Sequence, residues 1–143
     1  MTETDDTFSQ RPALSVVAPM HNESGGADAL VDEIAQALEA VSHEIIVVDD
    51  ASTDDTLSVL TAAKLKHSNL RVIRHERNAG QSRAIRTAVL AARSPIVAML
   101  DGDGQNNPAD IPALYGMLFE DESLAMAAGE RQGRQDTVAK KFA

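Results

Sequence analysis

Residues 94–108 read Ser94-Pro95-Ile96-Val97-Ala98-Met99-Leu100-Asp101-Gly102-Asp103-Gly104-Gln105-Asn106-Asn107-Pro108. Ile96 to Leu100 is an uninterrupted apolar run, which predicts a central strand buried on both faces of a parallel sheet. The run ends in charge. Asp101 and Asp103 flank Gly102, and Gly104 and Gln105 follow, so four carboxylate oxygens and an amide carbonyl sit on a tight turn past the strand's carboxyl end. Open α/β sheets place their ligands there. Hard oxygen donors in that arrangement suit Mg²⁺ or Mn²⁺, which in turn would bind phosphate. An isolated D-G-D reads equally well as a Gly-rich turn with solvated aspartates.

Upstream, the same alternation of strand, loop and helix occurs three more times. Ala13 to Pro19 is a β-branched apolar run stopped by proline, and Met20 to Gly26 is a polar exit loop. Leu30, Val31, Ile34, Leu38 and Val41 then share a helical face. Glu44 to Val48 predicts a second buried strand ending in Asp49 and Asp50. Ser52 and Asp55 resemble a capping box before a helix striped by Leu57, Leu60 and Leu65. Leu70 to Arg74 alternates, which predicts a strand with one exposed face or at a sheet edge. Asn78-Ala79-Gly80 reads as a turn with a left-handed glycine, before a helix over residues 81–93 carrying Ile85, Ala88, Val89 and Ala92 inward. Downstream, Asn107 and Pro108 form a cap and first helical position for Ile111, Leu114, Tyr115 and Leu118. Leu124 to Ala128 is a weak strand. This order predicts a doubly wound, mostly parallel α/β sheet with helices on both faces. The polar lead 1–12 is read as disordered, 13–128 as the α/β domain and 129–143 as the start of a further segment, cut short.

Composition narrows the function. The 143 residues carry 13 basic and 22 acidic side chains, a net charge of −9, which argues against general nucleic-acid binding. Six of the nine arginines (Arg71, Arg74, Arg77, Arg83, Arg86, Arg93) nevertheless crowd one segment, so they form either a solvated face or a local anion site. Cysteine is absent, which removes disulfide and thiolate chemistry. No apolar run approaches the roughly 20 residues that span a bilayer, and no basic region leads an apolar core at the start. Nucleophile-elbow, P-loop and dinucleotide-binding patterns are missing. His43, His67 and His75 lack metal-ligand spacing and read as structural or exposed.

The physical case for a site is convergence. Parallel strands share a direction, so Pro19 to Glu23, Asp49-Asp50 and Asp101 to Gln105 all fall on one sheet edge, where one ligand can touch them together. Each cluster has a plainer alternative: helix capping for Asp49 and Asp50, ordinary loop polarity for His21 and Glu23. An aspartate at a strand end can also accept from the imide N–H of uracil or the edge of guanine.

Four ordered segments, Val16 to Glu23, Ile46 to Thr56, Asn78-Ala79-Gly80 and Asp101 to Pro108, resemble the motifs of family 2 glycosyltransferases, in particular the dolichyl-phosphate mannosyltransferase-like branch. The resemblance covers about Leu14 to Lys141. It implies the GT-A fold and an inverting sugar transfer from a UDP- or GDP-sugar. The nucleotide-binding set it implies is Pro19, His21, Glu23, Asp49, Asp50, Gly80, Asp101 and Gly102, with Asp101, Asp103 and Gln105 holding Mg²⁺ or Mn²⁺. His21 stands where the family often has Tyr. Gly129 to Asp136 is similar to the branch's G-x-R-x-x-R-x-D stretch, which adds Arg131 and Arg134 to the catalytic aspartates Asp101 and Asp103 as partners of an acceptor phosphate; the same stretch also reads as a disordered basic tail. The implied acceptor is a polyprenyl phosphate at a membrane surface, with the chain cytoplasmic and peripheral through segments beyond it, and inactive alone. The alternatives are a nucleotide- or metal-binding module without transfer activity, and an α/β protein phosphorylated on Asp49 or Asp101.

Overall fold

A computed structural model describes residues 11–130. Four parallel strands, β1 (Leu14–Met20), β2 (His43–Asp49), β3 (Leu70–Arg74) and β4 (Val97–Met99), lie in the order β3-β2-β1-β4. Helices α1 (Ala27–Ala37), α2 (Thr56–Lys66), α3 (Gln81–Ala91) and α4 (Ile111–Glu120) alternate with them. On one face Leu30, Val31 and Ile34 of α1, Leu60 and Ala63 of α2 and Ile111 of α4 pack on Val16, Ile45 and Val47. On the other, Ala84 and Ala88 of α3 meet Val17, Ile46 and Val48. Helices therefore cover both faces, and the doubly wound α/β expectation holds. Strand order reverses between β1 and β4, which makes that gap the topological switch point.

Burial follows position in the sheet. Every residue of β1 is buried, as are six of the seven in β2, which explains their nearly continuous apolar sequence. β3 is an edge strand, as its alternation predicts. β4 corrects the reading of Ile96 to Leu100: the strand is only Val97–Met99, bonded on one side to β1, and Met99 is 58% exposed. The apolar run reflects contacts with α-helices on two faces, which do not require a central position.

Other expectations shift for local reasons. Leu65 is 90% exposed because it lies five residues past Leu60, about 140° further round the helix. In α3 the inward pair is Ala84 and Ala88; Ile85 is half-buried and Val89 exposed. Small side chains let that helix lie close on the sheet. Asp55 stands before α2 without a side-chain cap bond, and Asp54 instead accepts from the Thr56 N–H at 2.9 Å. Asn107 caps as predicted, accepting from the Ala109 N–H at 3.0 Å, but the first turn, Pro108–Asp110, is 3₁₀. Leu124 to Ala128 forms no strand, having no neighbouring strand to take its backbone bonds.

Candidate functional site

The site begins where β1 and β4 part. The Ser15 N–H donates to the Ile96 carbonyl at 3.0 Å and the Leu100 N–H to the Val17 carbonyl at 3.0 Å, so odd-numbered residues of β1 bond toward β4. Pro19 is the next odd position and has no N–H to give. The ladder stops, and the chain after Leu100 turns across the end of β1. Gly102 makes that crossing possible: a Cβ built there would stand 2.2 Å from the Pro19 oxygen and 2.6 Å from Met20 Cγ. Between the parted strands lies a cleft of about 290 Å³ lined by Pro19, Met20, His21, Glu23, Asp50, Gln81, Ala84, Asp101, Gly102 and Asp103.

The adjacent acids Asp49 and Asp50 divide the work. Asp49 is fully buried and turned away from the cleft: it accepts from the Ser52 N–H at 3.0 Å and from the Ser52 hydroxyl, and pairs with Arg74 at 3.4 Å. Its carboxylate holds the turn after β2 together, and Asp49, expected among the nucleotide-binding residues, does not line the cleft. Asp50 reaches the cleft. Its oxygens accept from the Ala79 N–H at 2.9 Å, the Gly80 N–H at 2.8 Å and His75 Nδ1 at 2.8 Å. Burial pushes this carboxyl up, and the Ala79 N–H, His75 and the Gly80 N–H more than offset it, holding Asp50 below its ordinary value of 3.8. Gly80 does not line the cleft; with φ +92° it shapes the turn that Asp50 grips.

The loop after β1 is fastened to the loop after β2. Asn22, at φ +54°, accepts through Oδ1 from the Thr53 N–H at 2.8 Å. Its own N–H donates to Ser52 Oγ at 2.9 Å, and the Glu23 N–H donates to Thr56 Oγ1 at 2.9 Å. His21 donates through Nδ1 to the Asp50 carbonyl at 2.9 Å, which turns its ring toward the cleft mouth. Beneath this loop Asp54 is held down to about 2, chiefly by the Thr56 hydroxyl.

On the β4 side, Asp101 Oδ1 accepts from Gln81 Nε2 at 2.9 Å, tying the acidic turn to the start of α3. Asp103 is exposed on the cleft, and its Oδ1 accepts from the Gln105 N–H at 3.0 Å. Gln105 does not line the cleft. Among the described residues no group of three or more His, Cys, Asp or Glu could by itself hold a metal ion. Two carboxylates on one cleft still fit Mg²⁺ or Mn²⁺, because such ions are commonly held by one or two carboxylates together with substrate phosphates. Arg131 and Arg134 lie outside the described residues. Of the central arginines, Arg71 pairs with Glu44 at 3.1 Å and Arg74 with Asp49, so two of the six serve the fold.

Gln81 carries no site reading from the sequence, and His75 reads there only as structural or exposed. Gln81 follows the Asn78-Ala79-Gly80 turn and could have been flagged by that position; His75 carried no spacing signal because its partner Asp50 lies 25 residues away.

With this geometry in place, comparisons with known proteins agree among themselves. The sequence model for glycosyl transferase family 2 matches residues 15–142. Dodecaprenyl-phosphate galacturonate synthase of Rhizobium johnstonii is 38% identical over 128 residues, 86% of this chain and 37% of the relative. Undecaprenyl-phosphate 4-deoxy-4-formamido-L-arabinose transferase of Sodalis glossinidius is 35% identical over 133 residues, 91% of this chain and 40% of the relative. The chain thus spans well under half the length of these relatives. A Pyrobaculum calidifontis mannosyltransferase in complex with GDP-Man and Mn²⁺ superposes with TM-score 0.69 at 27% identity, covering 80% of this chain and 34% of that one. Glucosyl-3-phosphoglycerate synthase of Mycobacterium tuberculosis, in complex with Mn²⁺, UDP and glucosyl-3-phosphoglycerate, gives 0.65 at 28% identity, with coverages of 82% and 43%. Among the described residues no helix is long and apolar enough to cross a membrane. The family match runs through all three strand ends that build the cleft, and the chain belongs to glycosyl transferase family 2.

Proposed function

We propose that the cleft binds the nucleoside diphosphate of a UDP- or GDP-sugar, and that the protein to which this chain contributes transfers the sugar, with inversion, to a polyprenyl phosphate. One observation carries the reading: Pro19, Met20, His21 and Glu23, then Asp50, then Asp101 to Asp103, come from three strand ends and line a single cleft. Nucleotide and Mn²⁺ bound to superposable proteins, and relatives named for polyprenyl phosphates, support it.

In this reading Asp50 and His21 face the nucleoside, and Asp101 and Asp103 hold Mg²⁺ or Mn²⁺ on the diphosphate. The metal supplies positive charge where the leaving diphosphate gathers negative charge. Gln81 fixes one Asp101 oxygen and so orients the other. A lipid phosphate acceptor is already an anion and needs no general base. Arg131 and Arg134 are proposed to meet that phosphate, and the chain by itself to carry the donor half of the site without transfer activity.

Calorimetry with UDP and GDP, with and without Mn²⁺, tests the donor reading. The expected outcome is nucleotide binding that strengthens at least tenfold with Mn²⁺ and loses that dependence in Asp103→Ala. Binding indifferent to metal, or none, would overturn it.

A further inference from the structure

His75 and Asp50 meet where β2 and β3 end. Asp50 accepts from two backbone N–H groups, Ala79 on Oδ1 and Gly80 on Oδ2, which favours the ionised carboxylate. The 2.8 Å contact between Oδ1 and His75 Nδ1 then needs its proton on the ring nitrogen. On the other side of the ring Nε2 lies 2.7 Å from Thr87 Oγ1. Thr87 Oγ1 is also 3.0 Å from the Arg83 carbonyl. The hydroxyl proton goes to one of these two partners, and in either case the ring is held between Asp50 and Thr87.

We propose that His75 is a positioning residue for donor binding, a ring clamped between Asp50 and Thr87 that fixes the Asp50 carboxylate and the Asn78–Gly80 turn, leaving Asp50 one acceptor site for the nucleotide base. The count comes from the geometry. A carboxylate offers about four acceptor sites. His75, Ala79 and Gly80 fill three of them. The lone imide N–H of uracil matches a single remaining site, whereas guanine presents two adjacent N–H donors on one edge and leaves one of them unpaired. An unpaired donor in a desolvated contact is costly, so UDP is preferred to GDP. Removing His75 frees a site on Oδ1 and lets the carboxylate turn, which relaxes that preference.

The inference rests on the donor reading above, and two measurements separate the failure of one from the failure of the other. Ring ¹⁵N spectra of the full chain, without ligand, should show His75 Nδ1 carrying a proton, as donation to Asp50 requires. Calorimetry in Mn²⁺ should show UDP binding at least tenfold tighter than GDP. His75→Ala and Thr87→Val should each weaken UDP about tenfold, the loss of one hydrogen bond to a charged group, and narrow the UDP-to-GDP ratio. Thr87→Ser, which keeps the hydroxyl, should restore both. A His75 Nδ1 without its proton would overturn the clamp on Asp50. Unchanged UDP affinity and ratio in folded His75→Ala, or in Thr87→Val should the first variant not fold, would overturn the positioning role. Failure of the unaltered chain to bind either nucleotide would instead overturn the donor reading and the base preference with it.

Discussion

Gly102 is under a tighter constraint than the aspartates on either side of it. A Cβ at this position would stand 2.2 Å from the Pro19 backbone oxygen, and backbone cannot swing aside as a side-chain tip can. Gly102→Ala should therefore destabilise the chain by about 1–3 kcal/mol, the usual cost of overpacking, and weaken nucleotide binding as the floor of the cleft shifts. Urea unfolding and calorimetry on the same variant check both. Gly80 is constrained differently. It has open space around its Cα but sits at φ +92°, ψ 162°, a region almost reserved for glycine. D-G-D in the sequence announced chemistry at Asp101 and Asp103; it gave no hint that the glycine between them closes the fork of β1 and β4. That role depends on Pro19, which is 83 positions away in the chain.

At the level of elements, Glu44 near the start of β2 joins the sheet at the edge opposite the cleft. It is 5% exposed, and its oxygens accept from the Ser15 hydroxyl on β1 at 2.7 Å, the Arg93 N–H before β4 at 2.7 Å and Arg71 on β3 at 3.1 Å. Burial pushes the carboxyl up, but the Arg93 N–H, the Ser15 hydroxyl and Arg71 together hold it below its ordinary value of 4.5. In the window below 4.5 the unfolded chain binds the proton more readily than the folded one, so the stability Glu44 contributes is present above that pH and is lost as pH falls through the folded value. Asp50 and Asp54 act with the same sign. Glu44→Gln should cost about 2 kcal/mol at neutral pH through weakened charge-assisted bonds, and should flatten part of the acid-side decline. Urea midpoints measured from neutral pH down to about pH 3 check the sign and the slope. The strand itself was evident from Ile45 to Val48; its acidic second residue was read only as the beginning of an apolar run, because nothing local pairs with it.

Across the whole molecule, the described residues leave apolar side chains exposed on the β4 and α4 side. Met99 is 58% exposed, Met117 45%, Phe119 62% and Met126 57%. Among the described residues β4 pairs only with β1, and an apolar edge left in that state invites association between chains. Met99→Lys should lower concentration-dependent self-association in sedimentation velocity while changing the unfolding free energy by less than about 0.5 kcal/mol, as an exposed substitution does. The amino-acid sequence by itself determined the alternation of strands and helices, the parallel sheet with both faces covered, and the clustering of polar residues at strand ends, because hydrophobic period and turn residues are local properties of the chain. Tertiary structure alone decided that β4 pairs only with β1 among the described residues, that Asp49 faces inward while Asp50 faces the cleft, and that His75 and Gln81 hold the carboxylates of Asp50 and Asp101. Those outcomes depend on which strands are neighbours and on hydrogen bonds between residues tens of positions apart, and local sequence does not encode either.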